Sequence, residues 1–444
     1  MSSEVAITIF VFVLFAGLLI FEVPIAWCLA ISGALGVIML RSFGIGSGLL
    51  GSVPFQATAS YTFVVVPLYI LLGTLVMKAH VAERVYYVAN RVFHRLPGGI
   101  GVATVAACAG FAAVSGSSVA TAATIGKSSV QEMRRSGYKD TFAVGIVGIA
   151  ATLGILIPPS LVLIMYGIIS GESIARLFAA GVVPGVLSAV VYSVGVIVMA
   201  RRNIELPAAG AAGPGIDVPK VTRAQAGRSL GYIVLIFTTI MVGIFTGIMT
   251  TTESAAIAVM MAVVILFIEN RKKKGRDRWF DFSSALAETA GVKSMAFAIL
   301  IGAAIFTFFL VAARVPYHAA EFLTSLDVAP IVIVVLILVV AIPLGMFLDA
   351  LSILVIVVPL TYPTLVGLGF DGVWYGILLV KMIEISLLTP PVGLNAFVIA
   401  SATGIKVERV FRGLLPFVAV ELIIVAILVA FPDITLFLPS LVLD

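Results

Sequence analysis

Apolar runs approaching the ~20 residues that a helix needs to cross a ~30 Å hydrocarbon core recur along nearly the whole chain. No other feature narrows the fold so far. Within hydrocarbon no water satisfies backbone N–H and C=O groups, so a spanning segment must close its hydrogen bonds internally. The expected class is an all-α polytopic membrane protein. Composition agrees: 61% of the residues are hydrophobic and only 11% charged, with a mean hydropathy of +1.21. A soluble domain is about half apolar and about a quarter charged. The first run carries Glu4 and no basic residue before it, so it reads as a retained span and not a cleaved leader.

The runs predict ten crossings, near 5–21, 24–41, 61–79, 141–169, 178–200, 229–250, 253–269, 292–313, 373–401 and 411–432. Two further apolar segments, 98–127 and 328–366, read as re-entrant hairpins that enter and leave on one side. Basic residues support this layout. With the N-terminus outside, 23 of the 27 Lys and Arg fall in the cytoplasmic stretches, including the run "RKKKGRDR" at 271–278. Only Arg41, Arg176 and Arg314 fall outside, and Lys381 stays within a span. If either hairpin were a full crossing, the alternation would fail from that point on. Both termini then lie outside.

Two of the apolar runs contain a double proline: "ILIPPSLVLI" (155–164) and "SLLTPPVGLN" (386–395). Proline lacks the backbone donor and clashes with the preceding turn, so each run must break in mid-membrane. The two regions are copies. From the first proline of the pair to a closing proline is 26 residues in both, Pro158 to Pro184 and Pro390 to Pro416. Upstream, 83–96 resembles 313–326, matching Arg84 with Arg314, and Gly110 and Ser117 match Gly345 and Ser352. By the charge layout, one hairpin opens from the cytoplasm and the other from outside, so the halves are inverted repeats. That pattern marks secondary transporters, with sites at the repeat interface formed by discontinuous helices.

The expected organisation has three parts. Residues 1–200 form the first repeat, with an amphipathic arm at 82–96, the hairpin 98–127 and the broken helix 141–169. Residues 201–228 form a cytoplasmic linker. Residues 229–444 form the second repeat, with an arm at 314–326, the hairpin 328–366 and the broken helix 373–401. Each break faces a hairpin tip. Broken helices expose N–H donors at one end and carbonyls at the other, and the carbonyls suit a cation such as Na⁺. The first tip, "SGSS" (115–118), is rich in hydroxyls. The second, "LDALS" (348–352), adds Asp349, and its break adds Thr389 and Asn395. Hard cations take such oxygen ligands.

These residues resemble the large membrane subunit of the tripartite ATP-independent periplasmic (TRAP) transporters, across nearly the whole chain. The matching stretches are "FAAVSGSSVATAATIGK" (111–127), "GILIPPSLVLIMYG" (154–167), "GIMTTTESAAIAVM" (247–260), "GMFLDALSILVIVVPL" (345–360) and "SLLTPPVGLNAFVIASATGI" (386–405). The resemblance implies an elevator-type, Na⁺-driven importer in the bacterial inner membrane, with Na⁺ as coupling ion and no other metal or cofactor. Its partners are a small four-helix membrane subunit, here expected on a separate chain, and a soluble periplasmic binding protein. Substrates are mostly organic acids such as C4-dicarboxylates and sialic acid. The first Na⁺ site implied comprises Ser115, Gly116, Ser117 and Ser118 with Pro158, Pro159 and Ser160. The second comprises Asp349 and Ser352 with Thr389, Pro390, Gly393 and Asn395. Substrate would sit between the tips, against Ser117, Ser118, Asp349 and Asn395. The family often reads Thr-Pro-Thr-Glu where this chain has Thr250-Thr251-Thr252-Glu253, a departure that bears on a helix start and not on the class.

Lys381 and Glu384 are ionisable groups in a span, where such groups pair or line a pathway. At i, i+3 they share a helix face and pair with each other, while Lys381 could also compensate an anionic substrate. Glu253 reads as a helix N-terminal carboxylate. The two cysteines, Cys28 and Cys108, read as buried free thiols. His80, His94 and His318 form no ligand cluster, and no G-x-x-x-x-G-K-[ST] phosphate loop is present, which speaks against an enzyme or an ATP-driven pump. The alternative nearest in chemistry is a proton-coupled or binding-protein-independent carboxylate transporter of the same fold.

Overall fold

The computed structural model describes residues 3–202, 222–326 and 328–442. Most of the expected linker 201–228 lies outside the described residues, as do 1–2 and 443–444 at the ends whose side of the membrane the charges assign.

The first half runs through α1 (Ser3–Ile20), α2 (Ile25–Leu40), α3 (Phe43–Gln56), α4 (Val65–Lys78) and the arm α5 (Val81–Phe93). The hairpin α6 (Gly99–Ser115) and α7 (Ser118–Arg135) follows, then the broken pair α8 (Asp140–Leu156) and α9 (Leu161–Ser170), then α10 (Ile174–Arg202). The second half repeats the order with α11 (Arg223–Phe245), α12 (Thr251–Glu269), α13 (Gly275–Ala312) and the arm α14 (Val315–Ser325). Its hairpin is α15 (Pro330–Gly345) and α16 (Ala350–Gly367), and its broken pair is α17 (Gly372–Ser386) and α18 (Leu394–Thr403). Helices α19 (Val407–Ala430) and α20 (Asp433–Val442) close the chain.

Among the described residues, seven helical segments are long and apolar enough to cross a membrane alone: 61–78, 174–201, 224–245, 251–269, 275–312, 350–367 and 407–430. The α8–α9 pair, bent by 43°, makes an eighth if counted as one span. Six of the seven coincide with expected crossings. The seventh, α16, is one limb of the second hairpin, so length alone does not separate hairpin from crossing. Helix α2 has 16 residues, a rise of ~24 Å, short of the hydrocarbon thickness.

Three elements were not expected from the sequence. Helix α3 occupies what reads as an outside loop. It holds four glycines and Pro54, and Gly46 lies so close to Ile38 of α2 that a Cβ there would meet it at 2.3 Å. Helix α13 begins at Gly275, far before the expected 292, and runs for 38 residues. That is ~57 Å, nearly twice the hydrocarbon core, so its first turns lie outside it. Helix α20 follows the last crossing.

The halves interlock. Hairpin helix α7 of the first half packs on α18 of the second, and α16 of the second packs on α9 of the first. Ion pairs follow the same crossed pattern. Asp140, at the start of broken helix α8, pairs with Arg409 of α19 at 3.7 Å. Asp371, capping broken helix α17, pairs with Arg176 of α10 at 3.9 Å. A pseudo-two-fold relation produces such a crossed pair at each end. Both arms also start alike: His80 (φ 57°) and Arg314 (φ 54°) sit in the left-handed region immediately before α5 and α14. This moves the arm register by four residues from the sequence match: His80, not Arg84, is the counterpart of Arg314. Arg84 instead bonds Glu269 of α12, which also takes Arg228 at 2.7 Å and Tyr232 at 3.1 Å.

Helix α12 starts without the missing proline. Thr250 accepts the Glu253 N–H at 3.2 Å, and the Glu253 carboxylate accepts the Thr250 N–H at 2.8 Å. This reciprocal cap satisfies two orphan donors, and Glu253 is the helix N-terminal carboxylate that the sequence suggests. Cys28 and Cys108 are buried free thiols.

Candidate functional site

The first tip is a two-residue turn. Gly116 (φ 61°) ends α6, and Ser117 caps α7 by accepting the Ala120 N–H at 3.3 Å. Only glycine takes that backbone angle without strain. The first break, 157–160, ends with Ser160 capping α9 through the Leu163 N–H at 3.3 Å. Tip and break touch through their backbones. The Leu161 N–H donates to the Gly116 carbonyl at 3.4 Å, and a Cβ on Gly116 would lie 2.6 Å from the Pro159 carbonyl oxygen. Pro158, Pro159 and Ser160 are buried. The Thr121 hydroxyl donates to the Ser117 carbonyl at 2.7 Å and lies 3.2 Å from the Ser115 hydroxyl. The structure sets the expected tip against the expected break at Gly116 and Pro159, with Thr121 as an added oxygen beside Ser115 and Ser117, while Ser118 bonds Asn395 instead. The signal for Thr121 was available: it sits one turn after Ser117 in a stretch rich in hydroxyls.

The second tip is built differently. Asp349 caps α16, as Ser117 caps α7, so its counterpart is Ser117 and the sequence match of Ser117 with Ser352 is displaced. Its carboxylate accepts the Leu351 N–H at 3.1 Å and the Ser352 hydroxyl. These bonds stay within α16. Tip and break meet at Gly345, where a Cβ would clash with the Ser386 side chain at 1.8 Å. Thr389 donates to the Ser386 carbonyl at 2.9 Å, and Gly393 (φ 51°) opens α18. Pro390, Pro391 and Val392 are exposed, whereas the first break is largely buried.

Asn395 turns away from this second tip. Its amide donates to the Ser118 hydroxyl at 3.1 Å, and both residues are buried. Asn395 thus joins the second break to the first tip. Lys381 is also drawn elsewhere. Its ammonium is fully buried against Glu384 at 2.9 Å, Ser188 at 3.2 Å, Tyr192 at 3.4 Å and Glu421. The pair with Glu384 follows from the sequence. Glu421, 40 positions away, gave no signal. With four partners around it, Lys381 has no free donor turned toward either tip.

Two hairpin tips set against two interrupted helices, inside a helical body built from two similar halves, define a membrane protein of transporter architecture. The solved structure of the Alcanivorax borkumensis YdaH transporter shares this fold, with a TM-score of 0.63 over 88% of this chain and 89% of that one, at 14% identity. Sequence comparison narrows the class. The model of the tripartite ATP-independent periplasmic transporter DctM component matches residues 12–434, and the chain belongs to that family. It is 34% identical over 417 residues to the C4-dicarboxylate TRAP transporter large permease protein DctM of Pseudomonas aeruginosa, covering 93% of each chain. It is 28% identical over 435 residues to the sialic acid TRAP transporter large permease protein SiaM of Vibrio cholerae, covering 96% of this chain and 97% of that one. The chain is therefore a multi-pass membrane component of a TRAP transporter system, and not an enzyme.

Proposed function

We propose that this chain is the translocating subunit of a Na⁺-coupled importer of a small organic acid, working by an elevator movement in the bacterial inner membrane with both termini periplasmic. The single observation that carries this reading is the first tip and break. There the Pro159 carbonyl closes on the Gly116 Cα and the Gly116 carbonyl accepts the Leu161 N–H, with the Ser115, Ser117, Ser160 and Thr121 hydroxyls on the same tip and break. Such an oxygen-lined, largely uncharged backbone cradle suits a monovalent hard cation. Site one comprises Ser115–Ser118 and Pro158–Ser160. Site two comprises Asp349, Ser352, Thr389, Pro390 and Gly393. Substrate sits between the tips, with Ser117, Ser118, Asp349 and Asn395 facing it and Lys381 left out. The names of the dicarboxylate and sialic acid relatives support a carboxylate substrate. A separate small membrane subunit of about four helices and a soluble periplasmic binding protein complete the system.

Reconstitution tests this. In liposomes, radiolabelled succinate or sialic acid should enter only when this chain, the small subunit, the cognate binding protein and an inward Na⁺ gradient are all present. Full uptake by this chain alone, or uptake that follows a proton gradient at zero Na⁺, contradicts the proposal.

A further inference from the structure

The transport reading leaves unused the basic run between α12 and α13. Residues 271–278 hold six cations and one acid, Asp277. Lys273 pairs with Asp281 at 2.8 Å, and Arg278 is half-buried. Arg271, Lys272, Lys274 and Arg276 are exposed and make no ion pair among the described residues.

The packing around the run sets it at the membrane surface. Asn270, which ends α12 and is buried, donates to the Lys78 carbonyl at the end of α4 at 3.3 Å and to Asp281 of α13 at 2.9 Å. The ends of two neighbouring crossings and the start of α13 therefore meet at one level. Further along α13, Glu288 takes the Lys78 ammonium at 2.5 Å, and the Thr289 hydroxyl lies 3.2 Å from that of Thr74. Asp281 and Glu288 thus both reach Lys78, one through Asn270 and one directly. The first turns of α13 lie across the end of α4 and do not project away from it, which keeps them in the headgroup layer. Their inner face buries Ala285 and Thr289. Their outer face carries Arg276, then Trp279 (63% exposed) and Phe280 (70%), then Leu286 (43%). Charge, then aromatic ring, then aliphatic chain is the order of headgroup, interface and hydrocarbon through a leaflet. Trp279 is held in place by stacking on Phe282, with 5.5 Å between ring centroids, and by Phe267 of α12 at 6.3 Å.

We propose that this basic and aromatic edge is a binding surface for anionic phospholipid headgroups in the leaflet it faces. Arg271, Lys272, Lys274 and Arg276 meet the phosphodiesters, and Trp279 and Phe280 sit among the headgroups. Unpaired cations facing a layer of phosphate charge are complementary to it, and exposed rings suit the membrane interface and not open water. Both features favour lipid over a soluble acidic partner. The inference stands apart from the transport reading, and its test needs no transport.

Quenching of Trp279 by brominated lipid tests it. The chain has three tryptophans; Trp374 is only 2% exposed, so in a Trp27→Phe background Trp279 is the one open to lipid. This full-length variant is reconstituted in phosphatidylcholine vesicles that carry brominated phosphatidylglycerol or, at the same mole fraction, brominated phosphatidylcholine. The anionic lipid should quench more strongly, to a degree that corresponds to about threefold or greater enrichment beside Trp279. The excess should shrink when salt is raised to about 0.5 M, because exposed charges are then screened. Combining Arg271→Gln, Lys272→Gln, Lys274→Gln and Arg276→Gln should remove the excess and leave quenching by the neutral lipid unchanged. Equal quenching by the two lipids in the parent protein overturns the proposal, whether or not the quadruple variant inserts and folds. Quenching by neither lipid would put Trp279 under protein and also overturns it, as does an excess that survives the quadruple change.

Discussion

Gly116 is the residue on which the candidate site turns. Its left-handed angle and its approach to the Pro159 carbonyl exclude any side chain. Gly116→Val therefore both strains the turn and pushes the tip off the break. The expected outcome is at least a tenfold rise in the Na⁺ needed for half-maximal uptake, or loss of uptake, with the purified variant still folded. Asn395→Leu should impair uptake for another reason: it leaves the buried Ser118 hydroxyl without its partner across the two halves, a loss of ~1–3 kcal/mol where the second break meets the first tip. Ser32→Ala should leave Na⁺ dependence unchanged, because that hydroxyl only bonds Cys28 within α2. Uptake and melting temperature measured side by side check all three. Normal Na⁺ dependence in Gly116→Val would make the hairpin a packing device. At this scale the sequence told much about the first tip, whose glycine and serines announce a turn and caps. It told little about Asn395, Thr121 or the contact of Lys381 with Glu421, because which way a polar side chain points is settled by packing between distant segments.

Elements were legible where a local rule is strict. Double proline cannot continue a helix, so both breaks appear where the sequence puts them. The helix–turn–helix form of both hairpin segments appears where the apolar runs put it, while their re-entrant reading rests on the alternation of basic loops. The elements that were missed obey no strict rule. Helix α3 has the glycine and proline content of a loop and is held as a helix against α2. The first turns of α13 were hidden by the basic run before them, which marks a cytoplasmic stretch but not its conformation. The arm register slipped by one helical turn because amphipathic segments resemble each other at that spacing. The arms also carry a prediction. Arg84 anchors α5 to Glu269 of α12, whose side chain is only 1% exposed and also holds Arg228. Glu269→Ala leaves two partly exposed cations without their shared partner and should cost ~1–3 kcal/mol. Hydrogen exchange should then rise in α5 and at the start of α11, with little change at the tips. Uniform exchange across the chain would mean that the arm is held by its apolar face alone.

For the whole molecule, two similar halves interlock through crossed helix contacts and crossed ion pairs, Asp140 with Arg409 and Asp371 with Arg176. Each hairpin meets the interrupted helix of its own half and packs on that of the other, so neither half could form its site alone. The sites are nevertheless unequal. The first break is enclosed and rich in uncharged oxygens, while the second is exposed and presents Asp349. Under the proposed function, two unequal cradles that both fill in one turnover would make uptake depend on more than one Na⁺. The most direct measurement is the initial rate of substrate uptake against external Na⁺ at fixed pH, in liposomes holding this chain with its small subunit and supplied with the binding protein. The expected result is a sigmoidal curve with a Hill coefficient above one. A hyperbolic curve, or uptake independent of Na⁺, would contradict the account.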